Sequence, residues 1–126
     1  VLENQEFIDR RRRWQFFSGA TIQLQTTLGK AQLINFSYSG LCVKLATSVS
    51  DRQDILLFPQ SLQVGVTKRM QGLEIEKISA QVKWFYNDND GTVCGLEMKS
   101  LSDKQKNSFI VALCDIHDQI AFGDAG

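Results

Sequence analysis

The chain is poor in the residues that most catalytic and metal-binding sites require. It has one histidine, His117, and three cysteines, Cys42, Cys94 and Cys114, in 126 residues. The cysteines lie far apart and form no CxxC pair or Cys/His cluster, so neither a zinc site nor a disulfide framework is indicated. They are expected as three buried free thiols in a reducing compartment. No phosphate-cradling glycine loop of the P-loop or Rossmann type is present. No serine stands in a nucleophile elbow, and no carboxylate pair has a motif around it. His117 falls off the apolar stripe of a predicted helix and reads as a solvated residue. The expectation is a protein that is not an enzyme, with no metal and no cofactor.

Net charge is absent too. Fourteen basic and fourteen acidic residues cancel, which argues against a domain that coats long nucleic acid through its overall field. No apolar run reaches membrane-spanning length, and no signal-peptide pattern opens the chain. These two absences point to a cytoplasmic protein, or to the cytoplasmic domain of a larger one. The chain opens on Val1 rather than Met, as a domain cut from a longer protein would. There is a single proline, and 43% of the residues are hydrophobic. That composition suits one domain around one core.

What is present is mostly strand pattern. The opening, residues 1–14, carries acids and then four arginines without core-like periodicity, and reads as an arm or linker. From Ala20 the pattern alternates, with Ile22 and Leu24 on one face and Thr21, Gln23 and Gln25 on the other, the period of a half-buried strand. A turn at Gly29 leads to a second strand ending at Asn35–Phe36. Leu41, Val43 and Leu45 share one side of a third. A polar loop follows from Thr47. The stretch around Pro59 predicts a strand on either side of a break. Gly72 to Tyr86 reads as one long strand, with Ile78, Ala80, Val82 and Trp84 in phase after a bulge near Glu76 and Lys77. The run Asn87–Gly91 is a strong turn signal before a returning strand. Phe109, Leu113, Ile116 and Ile120 then recur at helical spacing, behind a capping box of Ser102 and Gln105. About six or seven short strands with tight turns and one helix favour an antiparallel barrel or sandwich, with the helix over an opening or an edge.

Two clusters carry candidate chemistry. Arg10, Arg11, Arg12 and Arg13 are consecutive guanidiniums, each a planar fork suited to phosphate or to a guanine edge. Asn35, Ser37 and Gly40 form an N-x-S-x-x-G trio between two strands. Taken alone, the arginine run reads as a solvated charged linker, and the trio as a turn in which Gly40 supplies a positive φ. Taken together, an arm crossing a barrel mouth brings phosphate-gripping forks over a small polar ledge. A barrel that binds single-stranded nucleic acid through these arginines with Trp14, Phe16 and Phe17 is a third reading.

On these residues the chain resembles the PilZ domain family. The family has two signatures, an RxxxR arm before the first strand and [DN]xSxxG on the second and third strands. Asn35, Ser37 and Gly40 match the second in full. The segment from Ala80 to Met98 also resembles the family's closing strand pair, and the helix after it fits. The likeness runs from about Asp9 to about Ile120. It implies a mainly β fold, a six-stranded antiparallel barrel with a C-terminal helix and an N-terminal arginine-rich arm, divided as arm 1–14 and barrel with helix 15–126. It implies a bacterial sensor domain whose ligand is the second messenger cyclic di-GMP, bound by Arg10, Arg11, Arg12, Arg13, Asn35, Ser37 and Gly40. Trp14 and Gln15 are candidates for base contact. Four residues on from each arginine stand Trp14, Gln15, Phe16 and Phe17, so the second arginine of RxxxR is missing. The alternative is a degenerate PilZ domain that has lost the nucleotide and works through contacts with other protein domains or a partner protein.

Overall fold

A computed structural model of the chain describes residues 12–16, 20–70 and 73–122. The sequence readings for Arg10, Arg11 and Phe17 lie outside the described residues. Among the described residues eight strands and one helix follow in order: β1 Arg13–Gln15, β2 Ile22–Thr26, β3 Gly29–Ser37, β4 Gly40–Leu45, β5 Asp54–Val64, β6 Thr67–Lys68, β7 Ile78–Asp88, β8 Gly91–Met98 and α1 Asp103–Ala121. The fold is a mainly β antiparallel sheet with a C-terminal helix. Eight strands replace the six expected, because the short β1 and β6 add to the edges of β3 and β5. Pairing of the other six runs β3–β2–β5–β7–β8–β4, and β4 pairs back onto β3.

Alternation selects the inner face. Ile22, Leu24, Ala31, Leu33, Leu41, Val43, Leu45, Ile78, Ala80 and Val82 are all buried in one core. Three departures from the sequence reading have local causes. β5 runs unbroken through Pro59, because the β2–β5 register shifts there and the proline's missing N–H is not needed. Ser61 fills the gap in that ladder: its Oγ accepts from the Gln25 N–H at 2.7 Å and donates to the Phe58 carbonyl at 2.6 Å. Residues 73–77 are not strand, and the bulge lies between Val82 and Trp84 rather than near Glu76. Trp84 therefore points outward, 48% exposed, instead of continuing the inner face. Finally, Trp14 and Phe16 belong to the core although no period announces them.

The helix starts where its sequence predicts, although Ile110 is buried and Ile120, expected on the apolar stripe, is only partly buried. Ser102 Oγ accepts from the Gln105 N–H, and Gln105 Oε1 accepts from the Ser102 N–H, both at 3.1 Å. Phe109, Ile110, Leu113 and Ile116 are buried against the sheet. Its C-terminal half meets the arm, where His117 lies 5.7 Å from the Phe16 ring and is half-buried rather than solvated. Among the described residues no helix is long and apolar enough to cross a membrane.

Candidate functional site

A single irregularity sets the faces of the polar trio, in which Ser37 is buried and Asn35 and Gly40 are half-buried. Ala31 and Leu33 point inward on β3, so strict alternation would bury Asn35 as well. The β3–β4 register shifts between Leu33 and Asn35, leaving Ile34 as an extra residue. Phe36 then turns inward and Asn35 and Ser37 turn to the outer face.

β1 docks on that half of β3 with Arg13 opposite Ser37, Trp14 opposite Phe36 and Gln15 opposite Asn35. Side chains of period two therefore split cleanly. Trp14 goes inward and stacks on Phe36 at 5.1 Å and 7°. Arg13 and Gln15 go outward onto the ledge. Arg13 Nη1 donates to Asn35 Oδ1, and its Nη2 donates to Ser37 Oγ at 3.2 Å. Asn35 Nδ2 donates to Gln15 Oε1 at 3.3 Å. Of the candidates for base contact, Gln15 is thus tied to the ledge. Trp14 is buried, with the Arg12 guanidinium 4.9 Å from its ring, and is no open platform. Arg12 and Arg13 are both exposed, and Arg13 alone of the two touches the trio.

Gly40 has a different reason from the one its sequence suggested. Its backbone is not in the left-handed region. A Cβ there would stand 2.7 Å from the Leu96 carbonyl oxygen across the β4–β8 ladder. The glycine is required by close approach, and it keeps the outer surface low beside the ledge.

A depression of about 220 Å³ lies there, lined among others by Arg13, Gly40, Cys42, Lys83, Trp84 and Glu97. Burial pushes the Cys42 thiol up, and the nearby Arg13 charge partly opposes this. Cys42 and Cys94 are buried and Cys114 is only half-buried, a departure from three buried thiols; all three are free. Burial pushes Cys94 and Cys114 up to about 11, so neither is a ready nucleophile. No group of three metal-ligating side chains forms among the described residues. Lys83, Trp84 and Glu97 were not singled out by the sequence. An aromatic cluster running beyond the buried part of a strand, opposite a glycine in the returning strand, was the available signal.

A family model described as the PilZ domain matches residues 9–114. Among solved structures, the chain is similar to the PilZ domain with c-di-GMP of YcgR from Escherichia coli. That likeness has a TM-score of 0.56 at 13% identity, over 94% of this chain and 100% of that one. It is also similar to the Bacillus subtilis inhibitor of motility, MotI/DgrA, with a TM-score of 0.52 at 18% identity, over 89% of this chain. The chain spans about half of the latter's length, 53%. At these identities the likeness is one of fold. No curated protein matches the chain in sequence.

Proposed function

The chain belongs to the PilZ domain family, and from that premise we propose that it is a cyclic di-GMP-binding sensor domain, not an enzyme. The observation that carries this reading is the fork of Arg13 onto Asn35 and Ser37. A guanidinium anchored on that ledge presents its remaining N–H groups to the outer surface, in a geometry suited to phosphate or to the O6/N7 edge of guanine. The nucleotide held by the Escherichia coli neighbour supports the ligand class.

We read the ring of six paired strands as the family's barrel and β1 as the docked end of its arm. Arg10, Arg11 and Arg12 add cations for the phosphates, Gln15 offers an amide to a base, and Trp14 anchors the arm in the core. Binding orders the rest of the arm and alters contacts with other domains or a partner protein in the cytoplasm. No further cofactor is needed for this.

A second reading is favoured by one residue. Gln15 stands where RxxxR from Arg11 calls for arginine, and its amide already satisfies Asn35. In this reading the domain has lost the nucleotide and is an interaction module. Calorimetric titration with cyclic di-GMP separates the two. Under the sensor reading the wild type binds, Arg13→Ala weakens binding by about tenfold or more, and Arg12→Ala does less. Gln15→Arg then tightens binding. The alternative restoration, Phe16→Arg, is unsuitable because Phe16 is buried against Phe36 and His117 and a charge there would lie unpaired in the core. If only Gln15→Arg binds, the interaction-module reading replaces the sensor. If neither protein binds, the sensor reading is wrong.

A further inference from the structure

The depression beside Gly40 has features that the arm and the trio do not account for. Lys83 and Trp84 are adjacent in sequence, so in a regular strand they would face opposite ways. The bulge between Val82 and Trp84 brings both to the same depression. Opposite Trp84 stands Gly95. A Cβ on Gly95 would lie 2.1 Å from Trp84 Nε1 and 2.4 Å from Cε2. The indole therefore rests against bare backbone, and nearly half of the residue stays exposed, with Tyr86 stacked beside it at 6.2 Å.

Glu97 is the third feature. It lies directly across the ladder from Gly40. Lys83 Nζ and Lys99 Nζ each approach its Oε1 at 3.2 Å. Among the described residues both contacts fall on Oε1, so Oε2 is the oxygen that would accept from a ligand. The two ammonium groups hold the Glu97 carboxyl below the usual carboxylate range, so it is ionised at neutral pH. Half-exposed ion pairs contribute little to stability; the arrangement does more to orient a carboxylate than to hold the fold.

We infer that this depression seats one base of the ligand, and that Glu97 is the residue that selects guanine there. The inference rests on the cyclic di-GMP reading above. Guanine's Watson–Crick edge offers two neighbouring donors, N1–H and the N2 amine. A carboxylate is acceptor-only and matches both. Adenine places the N1 lone pair on that edge and would set acceptor against acceptor. Trp84 supplies the face on which the base stacks. Arg13 borders the same depression, which puts a guanidinium fork within the site as well.

The test is calorimetry on the chain with cyclic di-GMP and with its adenine counterpart, cyclic di-AMP, using wild type, Glu97→Gln, Trp84→Leu and Trp84→Phe. The wild type should prefer cyclic di-GMP by about tenfold or more, the scale set by polar groups left unpaired in a built site. Glu97→Gln trades one acceptor for a donor and should reduce that preference by about tenfold, with an unchanged melting temperature. Trp84→Leu should weaken both ligands alike, and Trp84→Phe should restore most of the loss. In the wild-type complex, proton NMR should show a guanine imino proton protected from exchange, and Glu97→Gln should lose it. If the wild type binds but Glu97→Gln keeps its preference and its protected imino proton, the role of Glu97 is refuted and the sensor reading stands. If the wild type binds neither nucleotide, both fall together.

Discussion

Replacing Gly40 with alanine tests whether close approach, rather than backbone conformation, explains the glycine of the polar trio. The new Cβ would meet the Leu96 carbonyl oxygen at 2.7 Å. Carbon and oxygen settle at about 3.3–3.6 Å even in favourable C–H···O contacts. The gap must therefore widen by roughly 0.6 Å or more. The obstacle is backbone, held in the β4–β8 ladder from Gly40–Glu97 to Leu45–Thr92, and it cannot swing aside as a side chain can. Overpacking of this kind costs about 1–3 kcal/mol. For a domain of this length each kcal/mol lowers the melting temperature by roughly 3–5 °C. Thermal unfolding should therefore drop by about 3–15 °C for Gly40→Ala. The exposed neighbour Ser39→Ala should stay within about 0.5 kcal/mol of wild type. Gly40→Asn sharpens the test. Asparagine tolerates a positive φ, so a conformational cause would make it milder than alanine. Close approach makes it at least as costly. A Gly40→Ala protein as stable as Ser39→Ala, or an asparagine variant more stable than the alanine one, would refute the packing account.

Two further outcomes concern stability. Ser102→Ala removes the hydroxyl half of the capping box at the start of α1 and should cost about 0.5–2 kcal/mol in urea unfolding, with an unchanged midpoint counting against the cap. Cys94 ionises at about 11 in the folded chain against an ordinary value of 9.0. Between those values the unfolded thiol has lost its proton while the folded one keeps it. The native state then binds more protons, so this contribution is complete below pH 9.0, falls as pH rises and is lost by about pH 11. Stability measured across that window should fall less steeply in Cys94→Ala than in wild type, and parallel curves would contradict the burial of the thiol.

Much of the architecture was legible in the chain itself. Strands from Ile22 to Leu45 follow from period-two alternation, whose inner residues are the buried ones. Local chemistry fixed the helix start, because Ser102 and Gln105 satisfy each other without help from the fold. Local chemistry also fixed the turn before β8, where Asp88 pairs with Gly91. The trio of Asn35, Ser37 and Gly40 was visible because its spacing lies within six residues of chain.

Tertiary structure alone decided the rest. Alternation admits two phases, and a single extra residue exchanges them. Nothing in the composition around Ile34 or Lys83 says that the register shifts there; the first shift brings Phe36 to the core, and the second follows Val82, which is already in phase with the buried Ile78 and Ala80. Those two shifts turn Asn35 and Trp84 outward. The arm was read as a linker because three residues are too few to display a period, and the ring on which Trp14 stacks, Phe36, lies 22 positions later in the chain. Ring order, not sequence order, then brings β1, β3, β4, β8 and β7 side by side. Arg13 and Glu97, at opposite ends of the chain, come to line one depression because the strands between them are hydrogen-bonded neighbours.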